Sequence, residues 1–339
     1  MTSVGRWPSY QSSQNTTSLP LDWEVLLPAG PALAHHAGCI IGDTFYIHGG
    51  VTQHRSIVPS NKLYKLDFSS MIWNEVRIPG SPALSHHACV TLNDRYMVLI
   101  GGWNGHGRTP KIFVYDTVEN KWMYPTDSGF PEGAGLSSHA ATVLETGEIL
   151  VVGREGCLRT VEKHGNAYLL SGSVQKGEFN YTKISDSTVS RSGHTVTVIG
   201  KSAYIIGGRD DDFIEFHNGF TSTEPIGHVN SNFINLFKQM PLKALCRFPN
   251  GRRNHVTIGG KGCLLIHGGE TFDGKSRHPV GEMFLMTAKP EVQFYRIGTS
   301  PVARAGHVCV STGDRIIFHG GVGWKNVVYG DCYELKIQF

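Results

Sequence analysis

Six related stretches recur along this chain roughly every 50 residues, and that period decides most of what the chain can fold into. They are "HHAGCIIGDTFYIHGGV" from His35, "SHHACVTLNDRYMVLIGGW" from Ser85, "SSHAATVLETGEILVVGRE" from Ser137, "RSGHTVTVIGKSAYIIGGRD" from Arg191, "RRNHVTIGGKGCLLIHGGE" from Arg252 and "AGHVCVSTGDRIIFHGGV" from Ala305. Five close on a glycine pair: Gly49-Gly50, Gly101-Gly102, Gly207-Gly208, Gly268-Gly269 and Gly320-Gly321. The third has Gly153 followed by Arg154. A period near 50 belongs to blade repeats rather than to helical solenoids.

Within each copy, two runs of β-branched or aromatic residues flank a short turn, which reads as a pair of antiparallel strands. The glycine pair ends the second strand and permits positive φ with close backbone approach. The first two repeats continue with "NKLYKLDFSSMIWNEVRI" and "KIFVYDTVENKWMYP", each an apolar run, an Asp, then Trp73 or Trp122 six residues on. Four antiparallel strands per repeat follow. A lone four-stranded sheet leaves its faces wet, whereas six arranged radially cover one another.

The order His, strand, Gly-Gly, apolar run with Asp, then Trp resembles the kelch repeat, over about residues 21–339. The resemblance implies an all-β, six-bladed kelch β-propeller of four-stranded antiparallel blades. Repeats three to five show no evident Trp. The last repeat stops at "DCYELKIQF", while "LDWEVLL" carries Trp23 about as far before His36 as Trp73 lies before His87. Residues near Leu21–Leu27 are therefore expected to complete the C-terminal blade. Residues 1–20 are polar and read as a disordered tail, and residues 217–250 as an insertion in the fourth repeat. There Phe233, Leu236, Phe237 and Met240 fall at helical spacing up to Pro241, as a helix over the blade edge or a lid for a partner. "PLKALC" partly matches an elongin-binding box, but Asn250 stands where that box wants a hydrophobe.

Strand order puts the second-to-third-strand loops and the blade-to-blade connections on one face. Three residues before each repeated His stand Leu33, Leu84 and Leu136, then Arg191, Arg252 and Arg304. The resemblance implies that arginines at this position line the pocket of acidic-peptide binders. These six are the candidate partner-binding residues, half apolar and half cationic. An arginine fork suits a carboxylate through two parallel hydrogen bonds. The alternative is that each arginine pairs with an acid or carbonyl of a blade.

His36, His87, His139, His194, His255 and His307 hold one place in every repeat, which favours blade packing over chemistry. His48, His267 and His319 precede glycine pairs and read as core hydrogen-bonding groups. No metal site and no cofactor are expected: the spacing of these histidines is not that of metal ligands. "GRDDDF" from Gly208 lacks the alternation of a calcium loop and reads as a solvated turn. Seven cysteines without CxxC pairs read as reduced thiols of a cytoplasmic or nuclear protein, with Cys39, Cys89 and Cys309 as small inner-strand hydrophobes.

A net charge of +3 with no Lys/Arg run argues against a nucleic-acid partner. No apolar run reaches membrane-spanning length. The expected function is a non-enzymatic protein–protein interaction module, an adaptor or scaffold. It would be a monomer that binds an acidic or C-terminal peptide segment at the channel mouth. Two alternatives are a substrate receptor of a cullin-type ubiquitin ligase and a metal-dependent enzyme on a kelch propeller.

Overall fold

The paired runs of each repeat fold as antiparallel hairpins, Ala37–Ile41 with Thr44–His48 in the first and Ala88–Leu92 with Tyr96–Ile100 in the second. The computed structural model describes residues 21–153, 155–156, 164–189, 191–200, 202–209, 249–260, 262–288, 292–312 and 315–337. The tail at 1–20 and almost all of the insertion at 217–250, with its helical spacing and "PLKALC", lie outside the described residues, as do Asp210 to Asp212.

Leu63–Asp67 and Ile72–Val76 complete blade one, and Ile112–Asp116 and Lys121–Met123 complete blade two. Blade five consists of Val256–Gly260, Cys263–His267, Glu282–Thr287 and Gln293–Thr299. The described part of blade four is the hairpin of Ser192–Ile199 with Ser202–Arg209. The inner strands touch in sequence around the ring, and that of the sixth blade meets that of the first.

Blade six joins both ends of the chain. Val308–Thr312, Arg315–His319 and Cys332–Ile337 are completed by Leu21–Leu27, with Trp23 opposite Leu335. The Trp23 ring packs 5.0 Å from Phe318 and 5.6 Å from His267 of the preceding blade. Trp73 meets His319 and Trp122 meets His48 in the same way. Each tryptophan thus caps the histidine that ends the second strand of the blade before it.

Blade three departs from the four-stranded plan. Ala140–Val143, Ile149–Gly153, His164–Ser173 and Glu178–Val189 form its antiparallel part, and Thr126–Ser128 adds a fifth, parallel strand. In place of a tryptophan, Tyr181 packs against Phe130 and Tyr168 and donates its hydroxyl to the Pro110 carbonyl at 2.7 Å. The core lies mainly between blades: Phe45, Ile47 and Leu66 of blade one meet Val308, Ile317 and Cys332 of blade six.

The glycine pairs make the inter-blade seam. Gly49 and Gly50 adopt φ of 70° and 80°. A Cβ on Gly49 would sit 2.3 Å from the Leu84 carbonyl oxygen of the next blade, and one on Gly50 would sit 2.7 Å from the Cβ of His36. The Gly50 N–H donates to the Leu84 carbonyl at 2.8 Å, and Gly102, Gly208, Gly269 and Gly321 repeat the bond to Leu136, Arg252, Arg304 and Leu33.

A second seam circles the axis. His35, His86, Ser138, Gly193, Asn254 and Gly306, each just before the repeated His, all have positive φ. Each donates its N–H to the carbonyl of the one before, at 2.7–2.9 Å, and His35 donates to Gly306. Six backbone hydrogen bonds therefore close on themselves and form the floor of the mouth.

Candidate functional site

The arginines expected at the mouth turn inward. Arg304 is 2% exposed; its guanidinium donates to the Gly320 carbonyl at 2.8 Å and to Asp331 at 3.0 and 3.4 Å. It also lies about 5 Å over the rings of Tyr329 and Tyr333. Arg252 repeats this with the Gly268 carbonyl at 3.1 Å and Glu282 at 2.9 Å. Arg191 donates to the Gly207 carbonyl at 3.1 Å, and burial pulls its guanidinium down to about 10. Leu33, Leu84 and Leu136 hold the same position and are buried in the core. The fold thus gives all six one place, beneath the seam, where a side chain must be apolar or satisfied by its own blade. None of them lines the cavity at the mouth.

That cavity has a volume of about 580 Å³ and opens on the expected face. Its floor is the hydrogen-bonded ring, through His35, His86, Ser138, Gly193 and Asn254. The imidazoles of His35 and His86 stack there with centroids 4.1 Å apart. Burial, followed by the charge of Arg253, holds His35 at about 4, so the stacked pair is neutral at pH 7.

The wall is cationic. Arg253 and Arg209 rise from blades five and four, Arg55 from the second-to-third-strand loop of blade one, and Lys275 and Arg277 from the hairpin Glu270–Phe272/Arg277–Pro279 of blade five. Among the described lining residues one carboxylate opposes these five cations: Glu270, which accepts from Arg253 at 2.5 Å. Arg277 lies 5.2 Å over the Phe272 ring, a cation–π contact that orients its guanidinium. Ser56, Ser192 and Asn254 add hydrogen-bonding groups between the cations. A wall of this make-up attracts and orients carboxylate or other oxyanion groups.

Beneath the floor, the six repeated histidines surround an axial cavity of about 150 Å³. Five of them reach the preceding blade through Nε2: His36 to His319 at 2.9 Å, His87 to His48 at 3.2 Å, His307 to His267 at 2.9 Å, His194 to the Val152 carbonyl at 2.9 Å and His255 to Thr195 at 3.1 Å. Burial holds His139 at about 4 and His194 and His255 at about 3. These rings are inter-blade struts, as are His48, His267 and His319. Among the described residues, no group of three or more His, Cys, Asp or Glu is placed to hold a metal ion. Cys39, Cys89, Cys263, Cys309 and Cys332 are free thiols.

The cavity residues escaped sequence reasoning, although one signal was present. Two places before the repeated His, the chain has Ala34, Ser85, Ser137, Ser192 and Ala305 in five blades, and Arg253 in the other. An arginine in a column of small residues marks the blade where a side chain reaches the axis. Its cross-chain neighbour is Glu270, where the other described pairs at this position have Val51, Trp103, Arg209 and Val322.

Comparison with known proteins agrees with this architecture. The model of the KLHDC2/KLHL20/DRC7 Kelch-repeats domain matches residues 15–208. Kelch domain-containing protein 9 of Mus musculus is 26% identical over 323 residues, covering 90% of each chain. Kelch domain-containing protein 3 of Homo sapiens is 26% identical, covering 89% of this chain and 80% of its own. The solved structure of YjhT superposes with a TM-score of 0.66 at 16% identity, covering 91% of this chain and 96% of that one.

Proposed function

We propose, from the premise that this chain belongs to the kelch-repeat propeller family, that its mouth binds an acidic segment of a partner protein. Kelch propellers generally mediate protein–protein interaction. The observation that carries the finer reading is the cavity wall, where the described lining residues include five cations, Arg55, Arg209, Arg253, Lys275 and Arg277, and one carboxylate, Glu270. The whole chain has a net charge of only +3, so this concentration of positive charge is local. Arg252 and Arg304 do not supply it, because Glu282 and Asp331 already neutralise them. An anionic group entering the cavity would find guanidinium forks in a recess that excludes part of the water, where charge-assisted hydrogen bonds are strongest.

The test is selection of peptides from a random 12-residue display library on the full-length chain. Selected peptides should be rich in Asp and Glu. Arg55→Glu with Lys275→Glu, both at exposed positions, should abolish that enrichment without changing the melting temperature. Selection of uncharged or basic peptides, or an unchanged acidic enrichment on the charge-reversed protein, refutes the reading.

A further inference from the structure

Around the cationic cavity runs an apolar rim. Among the described residues, Ile57, Val58, Phe272, Trp324 and Val327 are large hydrophobic side chains that remain exposed on the mouth face, Ile57 and Val58 about 70% so and Trp324 65%. They ride on the second-to-third-strand loops of blades one, five and six, which are neighbours in the ring. The same loops supply His54, Arg55, Lys275, Arg277, Gly323 and Asn326 to the cavity lining. Single exposed hydrophobes are ordinary; several on adjacent loops around one cavity mark a contact surface.

The rim is also held in place. Trp324 opens a 3-10 turn, Trp324–Asn326, in which Lys325 and Asn326 both have positive φ, 54° and 63°. The Gly323 N–H donates to the Val327 carbonyl at 2.9 Å and closes the turn. Non-glycine residues in this conformation are strained, and such strain persists where a side chain must be presented in one direction. On blade one, the Ile57 carbonyl accepts the Trp103 indole N–H at 2.7 Å, which ties that loop to blade two.

We infer that the mouth reads a composite motif: an acidic side chain for the cavity, next to an aromatic or branched aliphatic side chain that packs on Trp324 or on Ile57 and Val58. This rests on the acidic-segment reading above and adds its specificity. Charge complementarity with the cavity fixes the occupant as a protein segment carrying carboxylate. A cavity of about 580 Å³ is roughly 8–10 Å across, which an extended chain crosses in about three residues. The acidic and apolar positions should therefore lie within about four residues of each other. A flat bilayer would meet the rim but could not fill the recess.

The same display selection tests this with one further protein, Trp324→Ser with Ile57→Ser. On the native chain, selected peptides should show an aromatic or aliphatic position at a fixed offset from the acidic one. On the rim variant, the acidic enrichment should persist, the apolar position should become random, and a synthetic copy of the best peptide should bind about ten- to a hundredfold more weakly. Acidic peptides with no apolar preference, or an apolar preference that survives the rim substitutions, overturn this inference and leave the acidic reading standing. Loss of acidic enrichment on the native chain sinks both. Flotation of the native chain, but not the rim variant, with phosphatidylserine vesicles would assign the rim to a membrane and overturn the composite motif.

Discussion

Arg304 and Leu33 occupy one position in different blades, and what changes with them is the residue at the entry to the third strand. Where the buried position is Arg252 or Arg304, that residue is Glu282 or Asp331; where it is Leu33 or Leu84, it is Lys62 or Lys111. The backbone bond from the first glycine to this residue is the same in all four blades, so only the side chains have been exchanged. Arg304→Leu alone should therefore cost about 3 kcal/mol, because it leaves a half-buried carboxylate without its partner. Adding Asp331→Lys recreates the pairing of blade one and should recover most of that loss in urea denaturation. A double variant no more stable than the single one would refute the exchange. Glu270 poses the complementary case at the mouth. It holds Arg253 at 2.5 Å and competes with any incoming carboxylate. Glu270→Gln should strengthen binding of an acidic peptide about fivefold and steepen its salt dependence, read by fluorescence anisotropy at two ionic strengths. Unchanged affinity would mean that Arg253 is not part of the binding surface.

Among the elements, strand Leu21–Leu27 matters out of proportion to its length. It makes the closing non-local pairing, Leu21 opposite Ile337 through Leu27 opposite Cys332, and places Trp23 against Phe318 and His267. This was legible in the sequence, because one repeat lacked its tryptophan strand and the start of the chain supplied one at matching spacing. Blade three was less legible for the converse reason. Its outer strand has Tyr181 instead of a tryptophan, and the extra strand Thr126–Ser128 is only three residues long, too short for any periodicity. Replacing Leu21–Leu27 by a Gly/Ser segment of equal length should lower the melting temperature by about 10 °C or more. An unchanged melt would mean that the ring closes without that strand.

For the whole molecule, the ring was readable from repeat arithmetic, whereas the mouth was readable only to its sign. The frame position three before each His lies under the mouth, but side-chain direction there depends on the seam. The Leu84-type carbonyl accepts from the neighbouring glycine pair, and this holds the attached side chain beneath the floor. The cations of the cavity wall come partly from loops that share no repeat pattern, such as Arg55 and Lys275. The histidine struts have a consequence for the molecule as a unit. Burial holds His48, His194, His255, His267 and His319 at about 3 and His139 at about 4, below the ordinary 6.5. Below pH 6.5 the unfolded chain takes up protons at these positions while the folded ring does not. Their contribution is therefore complete above pH 6.5 and lost as pH falls toward 3 to 4. Each histidine removes roughly 1.4 kcal/mol per pH unit in that window. Six acting together would exhaust a domain stability of about 5–15 kcal/mol within about two pH units. The melting temperature should be flat from pH 8 to 7, then drop steeply below 6.5, with acid unfolding near pH 5. A melt that stays constant down to pH 4.5 would show that the six rings are not buried neutral struts between blades.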